Sequence, residues 1–176
     1  LLRDAGAKAI IFHSTFAPTL AEVRDRLPDL HVLLQVRDGS DDTLLDGAEW
    51  YEDVLASSAP ELPAGLRESW SPDDLYILYT GGTTGLPKGV LWRQGDIFVG
   101  ALGGRRLDDG EEWTSIDAIS AHAAEGGMRL VAGPPFMHGA GHWLALNAMN
   151  GGNTVCIQDD TVGPDASARA MAAGAD

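Results

Sequence analysis

Three glycines, three threonines and one lysine fall within the nine positions Thr80 to Lys88. Glycines let backbone N–H groups approach an anion closely and permit positive φ. Threonine hydroxyls add donors, and a lysine supplies a mobile point charge that suits phosphate. Residues of these types in this density suit the handling of a polyphosphate. The chain has only two lysines, Lys8 and Lys88, against ten arginines. A lysine-rich background therefore does not explain Lys88. A plain glycine hairpin needs one or two glycines in about two to five turn residues, and neither the threonines nor the lysine.

The spacing excludes the commoner phosphate loops. The Walker pattern requires Gly-Lys-Ser/Thr, whereas Lys88 follows Pro87 and precedes Gly89. The G-x-G-x-x-G pattern fails because Gly81 and Gly82 are adjacent and Gly85 does not restore the spacing. The kinase glycine loop fails for the same reason. What stands is Tyr79-Thr80-Gly81-Gly82-Thr83-Thr84-Gly85-Leu86-Pro87-Lys88-Gly89-Val90, continuous over twelve residues. It closely resembles the signature loop of the adenylate-forming superfamily: acyl-CoA synthetases, luciferases and peptide-synthetase adenylation domains.

A second marker is Pro134-Pro135-Phe136-Met137-His138-Gly139-Ala140-Gly141. In the superfamily this resemblance selects, a proline-rich turn with an aromatic-x-His-x-x-Gly pattern lies beside the acyl and adenylate site. The resemblance implies that His138 lies near the substrate carboxylate; without it, a packing or capping histidine is the plainer reading. His142 follows at the i,i+4 spacing of metal ligands on a helix. Gly139 and Gly141 weaken a regular helix there, and no H-E-x-x-H motif is present, so no metal site is read.

Positioning these residues requires strands on both sides of the loop. Leu75-Tyr76-Ile77-Leu78-Tyr79 enters it and Gly89-Val90-Leu91-Trp92 leaves it, giving strand, loop, strand. Upstream, Ala7–Phe12 and His31–Val36 are short apolar runs fit for buried strands. Between them Pro18, Leu20, Val23 and Leu27 follow helical spacing until Pro28. That strand–helix–strand unit favours a parallel α/β sheet. Glu49–Leu55 reads as a short helix, and Ser57–Pro72, with three prolines, as a connector. Gln94–Leu102 reads as a helix, Gly103–Gly127 as an exposed aperiodic loop, and Met128–Ala132 as a strand. Trp143–Met149 reads as a helix and Asn153–Gln158 as a strand. The fold expected is α/β, part of the large amino-terminal domain of an adenylate-forming enzyme, with mixed sheets and flanking helices. Residues 1–56 form the strand–helix–strand part, 57–72 the connector, and 73–176 the phosphate-loop and acyl-site part.

Composition narrows the function classes. A net charge of −14 opposes sequence-independent binding to nucleic acid or anionic membranes. Hydrophobic residues at 44% and a mean hydropathy of −0.07 suit a globular protein, and no run is apolar enough for a membrane span. One cysteine, Cys156, cannot form an internal disulfide; the reading is a core thiol in a reducing cytoplasm. Glu111-Glu112 and Asp108-Asp109 read as loop charges. The chain opens on Leu1-Leu2-Arg3-Asp4-Ala5-Gly6 like the last turn of a helix, and closes in a helical run cut short. Both ends are expected to be cuts in a longer polypeptide.

The resemblance implies the rest. A carboxylic acid, ATP and coenzyme A would be the small-molecule partners. Thr80, Gly81, Gly82, Thr83, Thr84, Gly85 and Lys88 would hold the β- and γ-phosphates, with Lys88 and His138 as the catalytic pair. Mg²⁺ is implied by ATP, but relatives take its ligand from a glutamate in a later motif not found here. The ribose-binding aspartate, the hinge and the small carboxy-terminal domain with its catalytic lysine are absent too. This polypeptide alone is therefore expected to be inactive and its parent a ligase. Leu91-Trp92-Arg93-Gln94 and Asp96-Ile97-Phe98 look like acyl-CoA synthetases acting on fatty acids or steroid side chains. Two alternatives stay open: an adenylation domain that loads a carrier protein, and a non-catalytic phosphate- or nucleotide-binding module.

Overall fold

The structure is a computed structural model that describes residues 1–40, 43–81, 85–106, 108–157, 165, 168–169 and 172. The chain divides into two compact units, Leu1–Ser69 and Trp70–Asp176.

The first unit is built on a parallel sheet. Ala7 N–H donates to Leu2 O at 2.9 Å and Gly6 N–H to Arg3 O at 3.1 Å, with Gly6 at φ +60°. This is the left-handed glycine closure of a helical turn, and it launches β1 (Ala9–His13). Helix α1 (Ala17–Val23) carries Pro18 in its first turn, where a missing N–H costs nothing. A 3₁₀ turn at Arg24–Arg26 continues it. β2 (Val32–Val36) then pairs in parallel with β1, from Ala9 opposite Val32 to His13 opposite Val36. β3 (Glu49–Trp50) adds in parallel on the other edge of β2, and α2 (Tyr51–Ser57) follows. The helix expected from Glu49 thus starts two residues late, because Glu49 and Trp50 are extended against Leu34 and Gln35.

Phe12, Ala17, Leu20, Leu30, Leu33 and Ala48 form the core of this unit. Burying each of the larger side chains is worth about 1.5–3 kcal/mol. Gln35 is completely buried on β2. Its amide donates to Ser14 Oγ at 3.0 Å and to Thr43 O at 2.9 Å, and its carbonyl accepts from Leu45 N–H at 2.9 Å. Those partners let an amide sit inside an apolar core without a desolvation penalty.

In the second unit β4 (Leu75–Thr80) and β5 (Lys88–Arg93) form an antiparallel pair. Helix α3 (Gln94–Ala101) follows, its first amides donating to the preceding turn: Gln94 N–H to Asp74 O at 2.8 Å, Gly95 N–H to Pro72 O at 2.9 Å. Then come α4 (Ile116–Ala123), β6 (Arg129–Val131), α5 (Gly139–Asn150) and β7 (Thr154–Cys156). β6 and β7 are parallel neighbours joined by α5. Side-chain amides of α5 tie down the end of α3: Asn147 donates to Ala101 O and Asn150 to Leu102 O.

Two expectations need correction here. The segment Gly103–Gly127 is not an exposed loop throughout, since it holds α4. Ser115 Oγ accepts from Ala118 N–H at 3.1 Å as its N-cap, and Ile119 is buried. One buried residue in a helix of eight leaves no apolar period to read. Likewise α5 begins at Gly139, not at Trp143, although Gly139 and Gly141 are poor helix formers. Close packing overrides propensity at Gly141: a Cβ there would lie 2.4 Å from the carbonyl oxygens of Pro134 and Pro135. The helical run expected at the carboxy terminus, and the end of the strand at Gln158, lie mostly outside the described residues.

Candidate active site

The β4–β5 register decides which loop residues face one another. Tyr76 pairs with Trp92, Leu78 with Val90, and Thr80 with Lys88. Directly opposite residues of an antiparallel pair share a face, and alternate residues along a strand share it too. Tyr76, Leu78, Thr80, Lys88, Val90 and Trp92 therefore lie on one face of the hairpin. Thr80 and Lys88 close the ladder at the mouth of the loop, with Thr80 Oγ1 donating to Lys88 O at 3.4 Å. Both side chains are exposed, and among the described residues Lys88 makes no ion pair. Gly81 and Gly85 flank the loop and are exposed, with open space where a Cβ would stand. Gly82, Thr83 and Thr84 lie outside the described residues.

Gly89 sits opposite Tyr79. A Cβ on Gly89 would lie 2.9 Å from Ile77 Cγ2 and 3.2 Å from Tyr79 Cζ. The glycine thus admits the Tyr79 ring across the strand next to the lysine. At the other end of β5, Arg93 bonds Asp73 with two nitrogens and Asp96 with one at 3.4 Å. The hydrogen bond to Asp73 is the first cause that raises the Arg93 guanidinium further above its usual value. The arginine fastens the strand to the turn before it and the helix after it.

The helix α5 docks on the face that carries Thr80 and Lys88. A Cβ on Gly139 would lie 2.8 Å from Leu78 Cδ2 and 3.3 Å from the Trp143 ring. The Trp92 and Trp143 rings meet edge to face at 6.2 Å. Trp143 Nε1–H donates to Tyr76 Oη at 2.9 Å, and Tyr76 Oη is hydrogen-bonded to His142 Nε2. His138 is the N-cap residue of α5. Its own amide donates to Pro135 O at 2.9 Å, and its carbonyl accepts from Gly141 N–H and His142 N–H at 3.0 and 3.3 Å. The His138 side chain is exposed and makes no cap bond. The fold thus brings Thr80, Lys88 and His138 to one hairpin face and the helix end packed on it.

His142 is the residue of this site that sequence reading left without a role. Its one legible signal was its i,i+4 spacing from His138. Both its ring nitrogens are engaged, Nε2 by Tyr76 and Nδ1 by the carbonyls of Phe136 at 2.9 Å and His138 at 3.0 Å. Among the described residues no three of His, Cys, Asp and Glu come together as a metal site. The described residues do not by themselves fit a bound Mg²⁺.

A cavity of about 220 Å³ in the same unit is lined by Arg106, Trp113, His122, Asn147, Asn150 and Asn153, among others. None of the predicted site residues lines it. Its polar groups are already used: Arg106 bonds Asp109, Asn150 bonds Leu102 O, and Asn153 Oδ1 accepts from Met128 N–H at 2.9 Å. Cys156 is half-buried in β7.

Residues 1–173 match the family described as AMP-binding enzyme. The chain is 53% identical over 156 residues to the medium-chain acyl-CoA ligase Mig of Mycobacterium avium, a match covering 88% of this chain and 28% of that protein. It is 37% identical over 163 residues to a medium/long-chain-fatty-acid–CoA/3-oxocholest-4-en-26-oate–CoA ligase of Mycolicibacterium smegmatis, covering 89% of this chain and 28% of that one. The chain thus spans little more than a quarter of the length of these relatives. Among solved structures, ATP-bound MatB from Rhodopseudomonas palustris superposes with a TM-score of 0.64 at 19% identity, over 97% of this chain and 29% of MatB. The N-terminal domain of FACL13 from Mycobacterium tuberculosis superposes with a TM-score of 0.62 at 21% identity, over 97% of this chain and 36% of that one. These two likenesses speak to the fold alone.

Proposed function

Because this chain belongs to the AMP-binding enzyme family, we propose that it forms part of an ATP-dependent carboxylate–CoA ligase. The observation that carries the proposal is the pairing of Thr80 with Lys88 at the loop mouth, on the hairpin face to which α5 brings His138. A cation and hydroxyl for phosphate thus share a surface with a histidine at the positive end of a helix, where a carboxylate is favoured.

A carboxylate is a poor electrophile, because its charge repels nucleophiles and its oxygen leaves badly. One carboxylate oxygen attacks the α-phosphorus of ATP, the bond to the bridging oxygen breaks, and pyrophosphate leaves with that electron pair. The acyl adenylate so formed carries AMP as a good leaving group. The thiol of coenzyme A then attacks the acyl carbon, losing its proton, and AMP departs. In the first step charge builds on the departing pyrophosphate, so preorganised donors and a cation lower the barrier. Thr80, Gly81 and Gly85, with Gly82, Thr83 and Thr84, would supply amides and hydroxyls to the β- and γ-phosphates. Lys88 would supply the charge, and Pro87 fixes φ at the loop exit. His138 would orient the carboxylate. Leu144, Leu146 and Met149 of α5 remain exposed and would line the acyl chain's path. The names of the relatives favour a medium- or long-chain fatty acid or a steroid side chain as the acid, and coenzyme A over a carrier protein as the acceptor.

The test is carboxylate-dependent ATP–pyrophosphate exchange by the native gene product that carries this sequence. Lys88→Ala should lower the exchange rate on the order of 10²–10³-fold, the usual cost of one transition-state donor. Unchanged exchange would show that Lys88 does not hold the phosphates. The isolated 176 residues, spanning about 28% of the relatives, are proposed not to complete the reaction, and acyl-CoA formed by them alone would refute that.

A further inference from the structure

We infer that His142 is a positioning residue of the acyl-adenylate site, the centre of a one-way hydrogen-bond chain that ties β4 to the turn bearing His138. The inference rests on the functional reading above, in which β4 feeds the phosphate loop and His138 faces the carboxylate.

The direction of the chain follows from the chemistry of its two ends. At one end stands the Trp143 indole, which can only donate; its Nε1–H reaches Tyr76 Oη at 2.9 Å. At the other end stand the carbonyl oxygens of Phe136 and His138, which can only accept, at 2.9 and 3.0 Å from His142 Nδ1. Nδ1 must therefore carry a proton. In the neutral ring with Nδ1 protonated, Nε2 is the acceptor, and the Tyr76 hydroxyl donates to it. Every donor points the same way: indole to phenol, phenol to imidazole, imidazole to backbone. No member can reverse without leaving a half-buried polar group unpaired.

The end of the chain is the functional point. The His138 carbonyl shares the imidazole N–H with the Phe136 carbonyl and also accepts from two helix amides, Gly141 N–H and His142 N–H. Three donors on one carbonyl fix the extended backbone of His138 at φ −95°, ψ 142°, and so the direction in which its side chain leaves. Tyr76, at the start of the chain, sits four residues before Thr80 on the same face of β4. The chain therefore sets the distance between the phosphate-binding loop and the carboxylate-binding turn, the two groups that adenylation must align. Side chains on two elements, β4 and α5, share this task.

Two measurements on the native gene product test this. Nitrogen-detected NMR of the histidine rings, with His142→Gln to assign the signal, should show the Nδ1–H tautomer for His142. An Nε2–H tautomer would overturn the inference. Second, Tyr76→Phe and His142→Ala should each lower kcat for ATP–pyrophosphate exchange about ten- to a hundredfold, the scale of a misaligned reacting pair. KM for ATP should stay within about twofold, because the phosphate contacts themselves remain. His142→Asn, which keeps a donor toward the two carbonyls, should recover much of the loss in the alanine variant. If Tyr76→Phe fails to fold, the Asn and Ala pair at His142 carries the test. Folded variants with wild-type kcat would overturn the inference and leave the ligase reading standing. A wild-type protein without exchange would instead overturn the ligase reading.

Discussion

A methyl group on Gly141 would come within 2.4 Å of two carbonyl oxygens, those of Pro134 and Pro135. Such contacts do not occur, so the turn or the helix would have to move. Gly141→Ala should therefore destabilise the native gene product by about 1–3 kcal/mol, as overpacking does, and its thermal unfolding midpoint would report this. Displacement of the turn should lower exchange activity in the folded fraction as well. An unchanged midpoint would mean that the turn is soft. The same local logic separates the two histidines. His138 keeps an exposed side chain while its backbone is bonded on both sides. His142 has both ring nitrogens bonded within the protein, which sets it against a ligand role. Spacing alone made them look like a pair.

Among the described residues, α4 is the α-helix that has a side-chain N-cap hydrogen bond. It buries only Ile119, and Ser115 Oγ accepts the Ala118 amide at 3.1 Å. Ser115→Ala should cost about 1 kcal/mol, the usual loss of an N-cap, read as a shift in the denaturant midpoint at constant slope. A changed slope would instead mean that the helix is lost from the native state altogether. The turn after β2 gives a pH-dependent counterpart. The Asp38 carboxylate accepts from the Ser40 hydroxyl, from Thr15 N–H at 3.0 Å and from Ser40 N–H at 3.1 Å. The Ser40 hydroxyl first, and the Thr15 amide second, hold Asp38 below the usual carboxylate range. A carboxyl lowered on folding stabilises the native state above its unfolded pKa of about 3.9, and that contribution fades as pH falls through the lower folded value. Asp38→Asn should therefore remove stability at neutral pH and flatten the dependence below about pH 4. A parallel downward shift of the whole curve would mean that the carboxylate charge is not the cause.

Taken whole, the chain is two compact units, and the division between Ser69 and Trp70 falls inside the proline-containing segment 57–72. Residues 55–70 are exposed throughout, and Arg67 lies in a single 3₁₀ turn with no buried residue. Exposed segments with few contacts are cut first. Within these 176 residues the first tryptic cut should fall at Arg67, as time-resolved mass spectrometry would show. An earlier cut at Arg93 would contradict the division, because that side chain is held by Asp73 and Asp96. Among the described residues no helix is long and apolar enough to cross a membrane.

The amino-acid sequence by itself determined the local chemistry and most of the elements. The apolar runs around Thr80–Lys88 specified β4 and β5, and Pro18, Leu20 and Val23 specified α1, because period and proline act through neighbours in the chain. It marked Lys88 as a mobile cation in a glycine loop, and His138 only through the resemblance of its motif to a family pattern, because a lone histidine before a helix reads equally as a packing or capping residue. Only the tertiary structure decided what depends on partners distant in sequence. The buried Gln35 needs Ser14, Thr43 and Leu45; α4 needs the packing of Ile119; Gly141 needs the two proline carbonyls. His142 takes its place from Tyr76, 66 residues away in sequence. Hydrogen bonds and packing act through space at a few ångströms, and no pattern along the chain records which distant groups folding will bring that close.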